Sequence, residues 1–121
     1  MRCSLLSISL ILLLCGMCSA ADVEQTHRSA VSALDKFQDC LSDEYAKVVH
    51  AKKMTEPEFV VYIGGVCIPP REEYRAAMRK FIAVQFPMMN ARLHADSADE
   101  AVKQVQIDIV RAYVRSELHR D

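Results

Sequence analysis

The stretch that decides the fold is Thr55-Glu56-Pro57-Glu58-Phe59-Val60-Val61-Tyr62-Ile63-Gly64-Gly65-Val66-Cys67-Ile68-Pro69-Pro70. Its first four residues form a capping box, with Thr at the cap, Pro in the first turn and Glu three positions after the cap. The next five are β-rich, and Gly64-Gly65 before Val66-Cys67-Ile68 also fits a two-residue hairpin turn. Two readings therefore compete. A hairpin needs strands long enough to pair, and only Val66, Cys67 and Ile68 separate Gly65 from Pro69. Phe59, Ile63 and Val66 keep helical spacing, as do Val60, Ile63 and Cys67. The spacing favours a short helix over 56–68. Two glycines inside it would cost roughly 2 kcal/mol relative to alanines, and they imply close approach of another helix over Gly64 and Gly65.

Upstream, Asp22 to Met54 contains neither Gly nor Pro. Val23, His27, Ala30, Leu34, Phe37, Leu41, Tyr45 and Val48 recur at steps of three and four, one continuous helical stripe. Asp22 and Glu24 near its start, and Lys52 and Lys53 at its end, suit the helix dipole. The expectation is one helix over roughly 22–53. Downstream, Pro69-Pro70 opens a third helix with Glu72 and Glu73 in its first turn. Tyr74, Ala77 or Met78, Phe81, Gln85 and Met88 form its stripe, widened by Ile82, Phe86 and Met89. Pro87 falls inside this pattern and either kinks the helix or splits it in two; the expectation is one helix over 71–94, bent near Phe86-Pro87. Ser97-Ala98-Asp99-Glu100 reads as a second capping box, with Asp96 as another cap. A last helix follows, with Ala98, Val102, Val105, Ile109, Ala112 and Ser116 on one stripe. Ile107, Val110, Val114 and Leu118 form a second. So wide an apolar face suits a helix that touches two neighbours or exposes a partner surface.

Residues 1–20 read as a signal peptide rather than as part of the fold. Arg2 supplies a positive charge, Leu5–Leu14 an apolar run, and Cys18-Ser19-Ala20 small residues before a cut at Ala21. The run is too short for the about 20 residues that span a bilayer. A lipoprotein would need a small residue before its acylated Cys, and Cys15 and Cys18 follow Leu14 and Met17. Residues 21–121 then form a single all-α domain, exported to the periplasm or secreted, with no second apolar run to cross a membrane.

Export removes three of the five cysteines and leaves Cys40 and Cys67. In a helical hairpin, facing residues lie at equal distances from the turn. Cys40 and Cys67 are equidistant from a turn centred between Lys53 and Met54, and so are Tyr45 and Tyr62. In an oxidising compartment the pair forms a structural disulfide. A redox-active pair is the rival, but Cys-x-x-Cys is absent and neither Cys follows a helix cap.

The chain carries a formal charge of −1 and no basic run longer than two residues, which argues against nucleic-acid binding. His27, His50, His94 and His119 are scattered and form no zinc or haem spacing. Met78, Met88 and Met89 with His94 could gather a soft metal, although methionine around a proline kink more simply fills irregular space. Glu72-Glu73 and Asp99-Glu100 sit where helix dipoles favour acids. No phosphate loop, nucleophile elbow or Ser/His/Asp arrangement is present, so no catalytic, cofactor-binding or metal site is expected.

Cys40 followed five positions on by Tyr45-Ala46, the Thr-x-x-Glu cap and a second Cys before the next helix resemble small periplasmic helical proteins of Gram-negative bacteria. A more distant similarity is to periplasmic acid-stress chaperones, which are also helical and carry one disulfide with wider cysteine spacing. The leading expectation is a non-enzymatic envelope protein working through a protein partner or self-association along the last helix. The alternatives are chaperone-like activity, or a carrier for an apolar ligand near Phe81, Phe86, Met88 and Met89.

Overall fold

The computed structural model describes the backbone of residues 4–51 and 54–120, and the side chains of residues 20–51 and 54–120. Among the described residues, four α-helices make up the architecture: α1 Ser4–Ala51, α2 Glu56–Gly65, α3 Ile68–Gln85 and α4 Ala91–Leu118. The bundle of about four helices expected from periodicity is the observed fold. No helix among the described residues is long and apolar enough to cross a membrane. Residues 1–20, expected to be a signal peptide, lie outside the described side chains except at Ala20.

α1 is longer than the stripe from Val23 implied, so Asp22 and Glu24 are interior to it rather than in its first turn. Glu24 instead pairs with Arg28 one turn on. Lys52 and Lys53, assigned to the helix end, lie outside the described residues. The stripe itself holds: Ala30, Phe37, Leu41 and Val48 are buried, with Ala33 beside them. His27 stays exposed and sets its ring 5.3 Å from that of Phe81.

α2 is helical, not a hairpin, because its capping box forms. Thr55 N–H donates to Glu58 Oε2 at 2.8 Å, and Glu58 N–H donates to Thr55 Oγ1 at 3.4 Å. The helix stops earlier than expected, at Gly65, with Val66 extended. Gly64 and Gly65 thus occupy the last turn, where a poor helix former costs less than in the interior. No helix crosses them: a Cβ built on either would meet nothing within 4 Å.

Cys67 lies outside α2. It adopts a left-handed φ of 56° and occupies the cap position of α3, whose first turn contains Pro69 and Pro70. α3 therefore begins three residues before the expected start. Prolines are tolerated there because first-turn N–H groups have no helical acceptor.

Pro87 breaks the third helix instead of bending it. Phe86 leaves helical geometry at φ −126°, ψ 66°, as steric pressure from a following proline favours. α4 then restarts at once, because Asn90 Oδ1 accepts from Leu93 N–H at 2.9 Å. With no Gly or Pro from Ala91 onward, the helix runs straight through Asp96 and Ser97. The box expected at Ser97-Ala98-Asp99-Glu100 is helix interior.

α1 packs chiefly along α3, α3 along α4, and α2 against α4, whereas the backbones of α1 and α2 approach only sparsely. The expected α1–α2 hairpin is thus an α1–α3 pairing, with α2 as a short turn segment beneath α4. One core unites them: Phe37 and Leu41 of α1, Phe59 and Ile63 of α2, Tyr74 of α3, and Val102 and Tyr113 of α4.

Candidate contact surface

The predicted cysteine pair is joined. Cys40 and Cys67 are bonded at 2.00 Å with Cα atoms 6.0 Å apart, so the disulfide ties α1 to the α2–α3 junction. Tyr45 and Tyr62, which the same count places level with each other, find different partners. Tyr45 turns its ring edge-on to Phe59 and Tyr113 at 6.4 and 6.5 Å. The Tyr62 hydroxyl donates to Glu44, whose carboxylate also lies 2.7 Å from Lys47 Nζ. Those bonds, Lys47's first and Tyr62's second, hold the Glu44 carboxyl below its ordinary range, and the same contact raises the Tyr62 phenol.

The residues weighed as a soft-metal cluster are spread over different environments. Met78 packs against the core, and Met88 is 96% exposed. His94 is buried and uses Nε2 on the Phe86 carbonyl at 2.9 Å. A carbonyl can only accept, so Nε2 carries the proton in that bond. Among the described residues, no three His, Cys, Asp or Glu side chains gather as metal ligands would. Phe86, one of the residues placed around an apolar ligand, is half exposed.

Tyr113 is the organising residue of the last helix, and it sits one position beyond the Ala112 assigned to the stripe. It is four residues after Ile109, so its spacing fits a helical face equally well; its ring is what selects it. Met54 N–H donates to the Tyr113 hydroxyl at 3.1 Å, and that hydroxyl donates to Met54 C=O. Both main-chain groups just before the Thr55 cap are thereby satisfied. Arg120 adds a further bond from Nη2 to Val49 C=O at 2.8 Å. These contacts clamp the C-terminal half of α4 onto the α1–α2 corner.

Holding α4 there leaves a groove between α2 and α4 of about 510 Å³. Its α2 wall is the ridge Glu56, Val60 and Gly64, at four-residue steps. Ile63 lies at its base, 1% exposed. Its α4 wall carries Lys103, Ile107, Val110 and Arg111. The hollow continues past Val110 and Arg111 to Val114 and Arg115. Val60 is 48% exposed, and apolar surface extends beyond the groove at Val61 and Leu118. The second stripe of the last helix is therefore only partly used by the fold. Gly64 keeps the α2 wall low, with no Cβ to narrow the opening.

Compared with known proteins, the chain matches no family model, no curated protein and no solved structure.

Proposed function

We propose that this chain is an exported envelope protein, cut near Ala20, that works by protein contact and not by catalysis. The observation that carries the reading is the α2–α4 groove, where Val60, Ile107, Val110 and Val114 line a concave apolar surface that the core leaves partly open. Continuous exposed apolar surface on a small domain marks a docking site more often than scattered single residues do. Export is supported by the Leu5–Leu14 run and by the Cys40–Cys67 bond, which persists in oxidising compartments.

The test is site-specific photo-crosslinking in cells, with the reactive side chain placed at Val110 in one strain and at exposed Arg79 on α3 in another. A discrete adduct at Val110 that is missing at Arg79 is the expected result. Equal background at both positions would reject contact through this face. Fractionation of the same cells checks export: processed protein in the envelope fraction is expected, and full-length protein held in the cytoplasm would reject it.

A further inference from the structure

We infer that the α2–α4 groove receives an amphipathic helix of a partner protein that carries Asp or Glu beside its apolar stripe. The inference rests on the contact reading above and adds the chemistry of the occupant. It comes from charge as well as shape. Along α4, positions 103, 107, 111 and 115 follow one another at four-residue steps and form a single ridge. That ridge reads Lys, Ile, Arg, Arg, and its three cations are exposed along one lip of the hollow. The opposing lip offers one carboxylate, Glu56, which lines both stretches of the hollow. Among the described residues, Lys103 and Arg115 make no ion pair. Arg111 reaches only Asp108, at 3.7 Å.

The chain as a whole is slightly acidic, so a groove with three cations to one carboxylate is a local feature and not a reflection of composition. An acidic partner would neutralise it, whereas a basic one would be repelled during approach. Shape selects among acidic partners. The walls run parallel to a helix axis, and Lys103 to Arg115 spans about 18 Å, or roughly three turns of a docked helix. A helix laid in such a groove anchors through side chains three and four apart. An anionic membrane would be met by a convex apolar ridge with flanking cations, but here the apolar residues line a trough.

The probe is a synthetic helical peptide of about 18 residues with Leu at alternating three- and four-residue steps and Glu flanking them. Its companion has every Glu replaced by Lys. Fluorescence anisotropy with the oxidised protein should show binding of the acidic peptide, weakening from about 50 to 500 mM NaCl. The basic companion should bind at least about tenfold more weakly. The surface variant K103E/R111E/R115E, checked for unchanged helicity by circular dichroism, should reverse that preference. A second variant, Ile107→Ser, should weaken both peptides without changing their order.

No binding of the acidic peptide, or equal binding of both peptides, overturns the inference. So does capture by phosphatidylglycerol vesicles in preference to the peptide, which would assign the surface to lipid. Self-association that masks the groove, seen as a dimer in light scattering and abolished by Ile107→Ser, also overturns it. If the Val110 crosslink persists while the acidic peptide fails, contact through this face stands and only the partner's chemistry falls.

Discussion

Phe59 and Tyr113 stack nearly face to face, with ring centroids 4.1 Å apart and planes 19° from parallel, although 53 residues separate them in the chain. Both rings are fully buried. The stack fixes α2 beneath α4 and, through the Tyr113 hydroxyl on Met54, fixes the entry to α2 as well. The groove exists because this joint closes one side of the α2–α4 pair and leaves the other open.

Removing the hydroxyl and removing the ring should therefore have separable effects. Tyr113→Phe keeps the stack but strands the Met54 N–H and C=O, and should lower stability by about 1–3 kcal/mol. Tyr113→Ala also leaves a ring-sized cavity and should cost about 3–5 kcal/mol. Urea unfolding of the two variants measures both. Equal losses would mean that the stack contributes nothing beyond the hydrogen bonds.

Gly64 carries the opposite expectation from the one its sequence context suggests. A helix crossing over it would make any side chain clash, but open space faces its missing Cβ and its φ is not positive. Gly64→Ala should stabilise by about 0.4–1 kcal/mol through the unfolded chain, read as a rise in the urea midpoint. A fall would show that something does occupy the space above α2.

The helices themselves were legible because their stripes are long and the Thr55 box is unambiguous. Their ends were not. The last helix starts at Asn90, whereas its residue types point to the box at Ser97 or to Asp96. Asn90 wins because it comes first: once its side chain has capped Leu93, nothing in the next six residues stops the helix. Pro87 was read as a bend because the apolar pattern continues past it, although a proline there also releases Phe86 from helical geometry. The cysteine pair was legible by counting once residues 1–20 are set aside. Its location was less so, since equal distance from a turn places two residues level but does not say which helices pack. Tyr113 was missed because spacing alone cannot choose between positions 112 and 113; choosing needed the partner ring of Phe59, far away in sequence. The cationic lip was hidden for a related reason. Lys103, Arg111 and Arg115 form no run in the sequence and become one ridge only when the helix is known to be unbroken.

The disulfide closes a loop between residues 27 apart, for which the chain-entropy model gives roughly 3–4 kcal/mol. Cys40→Ala with Cys67→Ala should lose about that amount in denaturant unfolding. The left-handed backbone at Cys67 adds a second effect. An L side chain held there costs roughly 1–2 kcal/mol, which glycine avoids. Cys40→Ala with Cys67→Gly should accordingly be more stable than the double alanine variant by about 1 kcal/mol. If the glycine version is equal or worse, residue 67 leaves the left-handed region once the bond is gone.

Glu44 gives a pH dependence whose sign follows from its contacts. Lys47 and the Tyr62 hydroxyl hold its folded carboxyl below the ordinary value of 4.5, so the unfolded chain binds that proton more tightly. Its contribution is complete above pH 4.5 and is lost as pH falls through the lower folded value. Tyr62 works from the other side. Its phenol is raised above the ordinary 10.0 by the Glu44 hydrogen bond first and burial second. Its contribution is present below pH 10.0 and declines as pH rises toward the higher folded value. Glu44→Gln keeps a carbonyl that accepts from Tyr62 but removes the charge. The variant should lose stability at neutral pH and show a shallower decline at both the acid and alkaline edges. Urea midpoints measured from acid to alkaline pH check this. Parallel wild-type and variant profiles at both edges would mean that the Glu44 contacts are no stronger in the folded protein than in water.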